Sequence, residues 1–191
     1  MTISRQATLH RVTSETDIAI TLNLDGSGTA QVETGIGFFD HMLTALAKHG
    51  LFDLTVRVQG DLHIDGHHTV EDTGIALGQA MRQALGEKRG VRRFGHALVP
   101  LDEALCEAVG DLSGRPFLAF DAHFDRDRLG PLATELVEAS FRPLAMSAMP
   151  TLHLNPTAGR HCHPIADPAC NALAPPPPPA CHPAPRALPA L

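Results

Sequence analysis

The sequence predicts an α+β fold in two similar halves followed by a proline-rich tail. Three observations predict it. Short runs with a two-residue apolar alternation are interleaved with stripes at helical spacing. The order of strands, helix, strand and histidine-bearing segment occurs twice. Thirteen of the sixteen prolines lie at or after Pro143, including the run Pro175 to Pro179. Such density cannot continue a helix or a central strand. These observations divide the chain into a first half over 1–92, a second over 93–163 and an extended or disordered tail over 164–191.

In chain order, Ile18, Ile20, Leu22 and Leu24 alternate with polar or small residues and predict a strand ending at the Asp25-Gly26 turn. A second strand over Thr29 to Thr34 is expected to complete a hairpin with it. Phe39, Met42, Leu43, Leu46 and Ala47 repeat at helical spacing, and Gly50 sits where a helix ends. Leu54, Val56 and Val58 predict another strand, with Gly60-Asp61 as a bend and Leu62 to Ile64 continuing it. From Val70, the spacing of Gly74, Leu77, Met81 and Leu85 predicts a helix closing at Gly86. In the second half, Ala104 to Leu112 and Phe117 to Phe124 read as strands. Leu136, Val137, Ser140, Phe141, Leu144 and Ala145 form a helical stripe, and Thr151 to Leu154 begins a further strand.

Hydrophobic residues make up 43% of the chain, enough for a core. Aromatics make up only 4%, with no Trp or Tyr, so aliphatics and eight Phe do the packing. A net charge of -6 argues against a general nucleic-acid surface while leaving room for a local cationic pocket. No apolar stretch is long enough for a membrane span, and the first ten residues lack the apolar core of a signal peptide. Four Cys without paired spacing make reduced thiols in a cytoplasmic protein the expectation. Twelve His is the unusual count, since imidazole is the commonest metal-binding side chain.

The most informative segment is Asp65-Gly66-His67-His68-Thr69-Val70-Glu71-Asp72. On a helix, His67 and Glu71 share a face at i, i+4, and His68 and Glu71 are neighbours at i, i+3. Adjacent histidines point roughly 100° apart. They suit two ions, or one ion and a substrate, better than a shared chelate. Nitrogen and oxygen donors without thiolate favour manganese, iron, cobalt, nickel or zinc. The competing reading is a polar helix start facing water. His41 lies early in its helix, either packing or ligating, and Asp40 is placed to orient an imidazole. His63, His96 and His123 have no partner pattern. Lys88, Arg89, Arg92 and Arg93 form the one strong basic cluster, either a solvated loop or a phosphate clamp. Arg115 stands at a strand–turn junction. No nucleophile–base pair and no dinucleotide fingerprint are present.

Taken together, these motifs make the chain resemble the imidazoleglycerol-phosphate dehydratase family. They are Arg11 to Thr16, Thr34 to Leu43 around His41, Gly60 to Asp72, Arg92-Arg93-Phe94-Gly95, Pro100 to Leu105 and Asp111 to Pro116. The resemblance is continuous from Arg5 to about Pro116 and weaker to Gly159. It implies two halves, each a small sheet backed by helices, as in a duplicated ribosomal protein S5 domain 2-like unit. It also implies a large homo-oligomer with metal sites between subunits, manganese with two ions per site, and no organic cofactor. The implied activity is that of a lyase converting imidazole glycerol phosphate to imidazole acetol phosphate in histidine biosynthesis. Position by position, His41, His67, His68 and Glu71 match metal ligands, and Glu71, His67 and His68 match the catalytic group. Glu15, Arg93 and Arg115 match substrate contacts. Removing water from the glycerol arm requires taking a weakly acidic proton. A metal on the substrate imidazole favours that step, and a carboxylate such as Glu71 can move the proton.

The second half departs from the family pattern. His163 keeps the first ligand of a second His-His-x-x-Glu segment, but Pro164 replaces the next and Asp167 shortens the last. Ala139 stands where a helix-borne histidine is expected, and Asn171 where a lysine is expected. These departures keep two competing readings in view. One is a non-catalytic metal- or ligand-binding relative that co-assembles with an intact copy. The other is a different metal-dependent lyase or hydrolase on the same fold.

Overall fold

The structure, a computed structural model, describes residues 5–89 and 91–158. The expectations for His163, Pro164, Asp167, Asn171 and the tail lie outside the described residues.

The first half opens with β1 (Gln6–Val12) and β2 (Thr16–Asn23), an antiparallel hairpin pairing Gln6 with Asn23 and Val12 with Asp17. β3 (Ala30–Glu33) leads into helix α1 (Gly37–Gly50), and β4 (Asp53–Gly60) follows. The four strands form one sheet in the order β1-β2-β4-β3, with β3 parallel to β4. The expected β2–β3 hairpin is therefore not formed. β4 inserts between the two strands, because α1 carries the chain back so that β3 and β4 run the same way. Ile18, Ile20 and Leu22 of β2 and Leu54 and Val56 of β4 bury the sheet's inner face. Helix α2 (His67–Leu85) crosses behind it and stops at Gly86. It starts three residues earlier than the apolar stripe suggested, because the first turn is polar. Leu62 to Ile64 are a turn, not a continuation of β4.

The second half repeats this plan. β5 (Phe94–Leu101), β6 (Ala104–Asp111), β7 (Phe117–Phe120) and β10 (Thr151–Ala158) form a sheet in the order β5-β6-β10-β7. β7 is parallel to β10, as β3 is to β4. The strand expected to reach Phe124 ends at Phe120. The chain then makes a small ribbon, β8 (Arg128–Leu129) and β9 (Leu132–Ala133), that the first half lacks. Helix α3 (Glu135–Ala148) corresponds to α1. Both are 14 residues long, and each ends on a left-handed non-glycine residue, Leu51 or Met149.

The halves meet where α2 lies on α3. Gly74 and Gly78 sit on the contact face, where an added Cβ would come 2.6 Å from Ser140 O and 2.6 Å from Leu144 O respectively. One apolar core runs through both halves, joining Ile18, Phe39, Val56 and Leu77 to Cys106, Val137, Phe141 and Leu154.

Candidate active site

The first turn of α2 is built to present its side chains. Gly66 is the N-cap, and a Cβ there would meet Ile36 Cδ1 at 3.0 Å and Leu136 Cδ1 at 3.4 Å, so the chain enters the helix against the core. Asp65 Oδ1 accepts the His67 backbone N–H at 2.7 Å, satisfying one donor that the helix start leaves open. The rings of His67 and His68 then diverge, nearly perpendicular at 83° with centroids 6.2 Å apart. His67 Nε2 lies 3.4 Å from Glu71 Oε2, both side chains about half exposed (50% and 47%). The i, i+4 pair expected from the spacing is formed.

His68 turns the other way. Its Nδ1 is 2.9 Å from Asp61 Oδ2, and Asp61 is only 12% exposed. That hydrogen bond, joined by the charges of Asp61 and Glu15, raises the imidazole pKa above its ordinary value. It also leaves Nε2 free of Asp61. Glu15 stands on the turn between β1 and β2, within electrostatic reach of His68. A hydrogen bond from Ser14, with smaller contributions including Thr13 and the His68 charge, holds its carboxyl below the usual range. His41 is exposed on α1 with its ring 6.2 Å from that of Phe38. Asp40 does not orient an imidazole as expected. It accepts the Thr34 backbone N–H at 2.8 Å and the Thr34 hydroxyl at 2.6 Å, locking the entry to α1.

The cationic residues gather around another carboxylate. Asp111, at the end of β6, accepts Arg93 Nε at 2.7 Å and Nη2 at 3.2 Å, and Arg115 Nη2 at 3.4 Å. The hydrogen bond from Arg93 holds the Asp111 carboxyl below its ordinary range, helped by the charges of Arg93 and Arg115. Lys88 donates to Leu112 O at 3.0 Å and so pins the loop leading to Arg115; burial lowers its pKa. The cluster is thus neither wholly solvated nor a free clamp: Arg89 pairs with Glu87 at 2.8 Å, while Arg93 and Arg115 share one acid.

Within one chain the structure brings together Glu15, His67, His68 and Glu71 around the start of α2. It gathers Arg93 and Arg115 at Asp111, and no hydrogen bond or ion pair joins these arginines to the histidines. Among the described residues, no group of three His, Cys, Asp or Glu side chains closes around a common point. The described residues offer donors in pairs, His67 with Glu71 and His68 with Asp61. Reasoning from the sequence missed two carboxylates here: Asp61, on the His68 ring, and Asp72, which Thr13, Thr16 and Arg11 approach. Their acidity was visible in the sequence, but their partners lie on other elements.

Comparison with known proteins agrees with this architecture. The family profile described as imidazoleglycerol-phosphate dehydratase matches residues 34–175. The imidazoleglycerol-phosphate dehydratase of Gluconacetobacter diazotrophicus is 66% identical over 162 residues, covering 85% of this chain and 82% of that one. That of Gluconobacter oxydans is 65% identical over 159 residues, covering 83% and 80%. The crystal structure of the Staphylococcus aureus enzyme superposes with a TM-score of 0.80 at 32% identity, covering 88% of this chain and 94% of that one. The Pyrococcus furiosus enzyme, crystallised in complex with (S)-C348, gives 0.75 at 33% identity, covering 87% and 89%. With sheet order, motif and sequence in agreement, the chain belongs to the imidazoleglycerol-phosphate dehydratase family.

Proposed function

We propose that this chain is a metal-dependent hydro-lyase converting imidazole glycerol phosphate to imidazole acetol phosphate, a step of histidine biosynthesis in the cytoplasm. The observation that carries the reading is the pairing of His67 with Glu71, next to an Asp61-held His68 and the ionised Glu15. The donor chemistry fits a hard or borderline ion such as manganese. The ligands are imidazole nitrogen and carboxylate oxygen, and burial pushes the Cys106 thiol up to about 11, so it offers no thiolate. His67, His68, Glu71 and His41, together with His163, are the residues assigned to hold two ions. The described residues of one chain offer their donors in pairs, and completion of the coordination shell is assigned to a homo-oligomer. Bound manganese supplies a Lewis acid that lowers the cost of charge on the substrate imidazole.

The rest falls to the protein. Comparing substrate with product, the hydroxyl leaves from the carbon next to the imidazole and the proton from the adjacent carbon. The resulting enol becomes the ketone. Glu71 is assigned to move the proton: its carboxylate stands half exposed beside His67, and among the described residues no Lys or Arg pairs with it. Glu15 contacts the glycerol arm, and Arg93 and Arg115, whose side chains are 42% and 73% exposed, hold the phosphate. The halves of the molecule are assigned to residues 1–92 and 93–163.

One observation supports a second reading, a non-catalytic relative that co-assembles with an intact copy. His41 is the fifth residue of α1, and Ala139 is the fifth residue of α3, the equivalent helix. The second half has no imidazole at that place. One assay separates the readings: dehydration by purified protein with added manganese, with bound metal measured alongside. Turnover that chelator abolishes supports the first reading. Stoichiometric metal without turnover supports the second. His67→Ala and Glu71→Ala should each lose tightly bound metal while staying folded. Unchanged metal content in both would remove the site assignment.

A further inference from the structure

Asp72 follows Glu71 on α2, and its side chain leaves the helix roughly 100° round from that of Glu71. It faces the β1–β2 turn. Asp72 Oδ2 accepts the Thr16 hydroxyl at 2.6 Å and the Thr13 hydroxyl at 3.3 Å, and Arg11 Nη1 lies 2.8 Å from the same oxygen. The turn itself is closed by Thr13. Its N–H donates to Thr16 O at 2.8 Å, and its hydroxyl accepts the backbone N–H groups of Glu15 and Thr16 at 3.2 and 3.0 Å. The Thr13 hydroxyl therefore holds the Glu15 and Thr16 backbone with its lone pairs, and its proton faces Asp72 Oδ2 and the Thr16 hydroxyl, 3.1 Å away, which itself donates to Asp72. The arrangement is shielded: Asp72 is 14% exposed at the side chain, and Thr16 is 3% exposed. A surface ion pair would be loose and screened, but a partly buried carboxylate with three partners on one strand–turn–strand unit is neither.

We propose that Asp72 is a positioning residue of the dehydration site, its one carboxylate oxygen clamping the β1–β2 turn to the first turn of α2 and fixing Glu15 within electrostatic reach of His68. This rests on the reading of Glu15 as a substrate contact. Asp72 itself touches neither metal nor substrate. Through Thr13, it sets the distance between the one site residue carried by the first hairpin and the three carried by α2. An error in that distance is costly, since about 1 Å of misplacement can lower a rate about 100-fold.

The test is a double-mutant cycle of Asp72→Asn and Glu15→Gln in the full chain. It is read by amide hydrogen exchange at Glu15 and Thr16, manganese titration, calorimetric binding of imidazole glycerol phosphate, and kcat with KM. Asp72→Asn should accelerate exchange at both amides and leave manganese affinity within about twofold, the tolerance within which independent effects add. It should lower kcat by up to about 100-fold with little change in KM. In the Glu15→Gln background it should cost almost nothing further, because the residue it positions has already lost its charge. Thr13→Val breaks the same link from the turn side without touching α2, and carries the test if Asp72→Asn folds poorly. Unchanged exchange, lost manganese affinity, or full additivity with Glu15→Gln would each overturn the proposal. If the wild-type chain neither binds nor dehydrates the substrate, the dehydratase reading falls. The exchange arm then still decides whether Asp72 holds the turn.

Discussion

Asp61 and Asp111 are both small acids at element ends, and each sets the behaviour of charged side chains that the sequence alone leaves unpaired. Asp61 holds one nitrogen of His68, and a carboxylate on the far side of a ligating imidazole fixes its tautomer and strengthens it as a donor. Asp61→Asn should therefore weaken manganese binding about 10- to 100-fold. Titration of metal-free protein measures this directly, and an unchanged isotherm would show that His68 does not ligate. Asp111 has a depressed carboxyl pKa in the folded state, through Arg93 first. Such a group stabilises the fold above its ordinary value of 3.8, and the contribution is lost as pH falls through the depressed value. At pH near 7, Asp111→Asn should cost about 1 kcal/mol or less, and the gap in melting temperature should close in acid. A gap that stays constant down to about pH 3 would rule out the ion pair as its source. His67, His68 and Glu71 were legible in the sequence because spacing along one helix places them. Asp61 and Asp72 were not, because the residues that give them meaning arrive from another part of the chain.

Among the elements, α2 is the most constrained. Replacing an exposed helical glycine by alanine normally gains about 1 kcal/mol of helix propensity. At Gly74, however, the new Cβ would stand 2.6 Å from Ser140 O and 2.9 Å from Pro143 Cγ. A backbone oxygen cannot rotate aside, so α2 and α3 must part. Overpacking of this kind costs about 1–3 kcal/mol, which exceeds the propensity gain. Gly74→Ala should lower the melting temperature, and a rise would mean that the helices do not approach this closely. The same glycine read in the sequence only as a small residue on a helical face. Strands show the complementary limit. β2 and β4 announced themselves because each buries one full face, as the alternation of Ile18, Ile20 and Leu22 shows. The edge strands β1 and β5 were not anticipated, and on β5 the apolar residues Phe94 and Leu98 are exposed. Because Ala97 and Val99 on its inner side are apolar too, β5 shows no alternation to read. The expected β2–β3 hairpin failed for a topological reason: neighbours in sequence pair by default, but α1, between β3 and β4, returns β4 parallel to β3 and into the place beside β2.

At the scale of the whole molecule the duplication was legible in outline, from recurring element order alone. What the structure adds is the matched sheet order, the parallel β3–β4 and β7–β10 pairs, and the equivalence of His41 with Ala139. The first half's candidate site was readable because the His-His-x-x-Glu spacing stands in its sequence, whereas the second half carries Ala139 where α1 carries His41. The placement of α2 also bears on how the chain comes to be made. α2 belongs to the first half by sequence, yet its glycine face rests on α3 of the second half. During synthesis at about 5–20 residues per second, α2 is complete for seconds before α3 leaves the ribosome. For that interval the first sheet can close, while Gly74 and Gly78 lack the α3 backbone they pack against. The nascent first half is thus a partner in waiting rather than a finished domain, and the arrival of α3 completes the helix that carries the histidines.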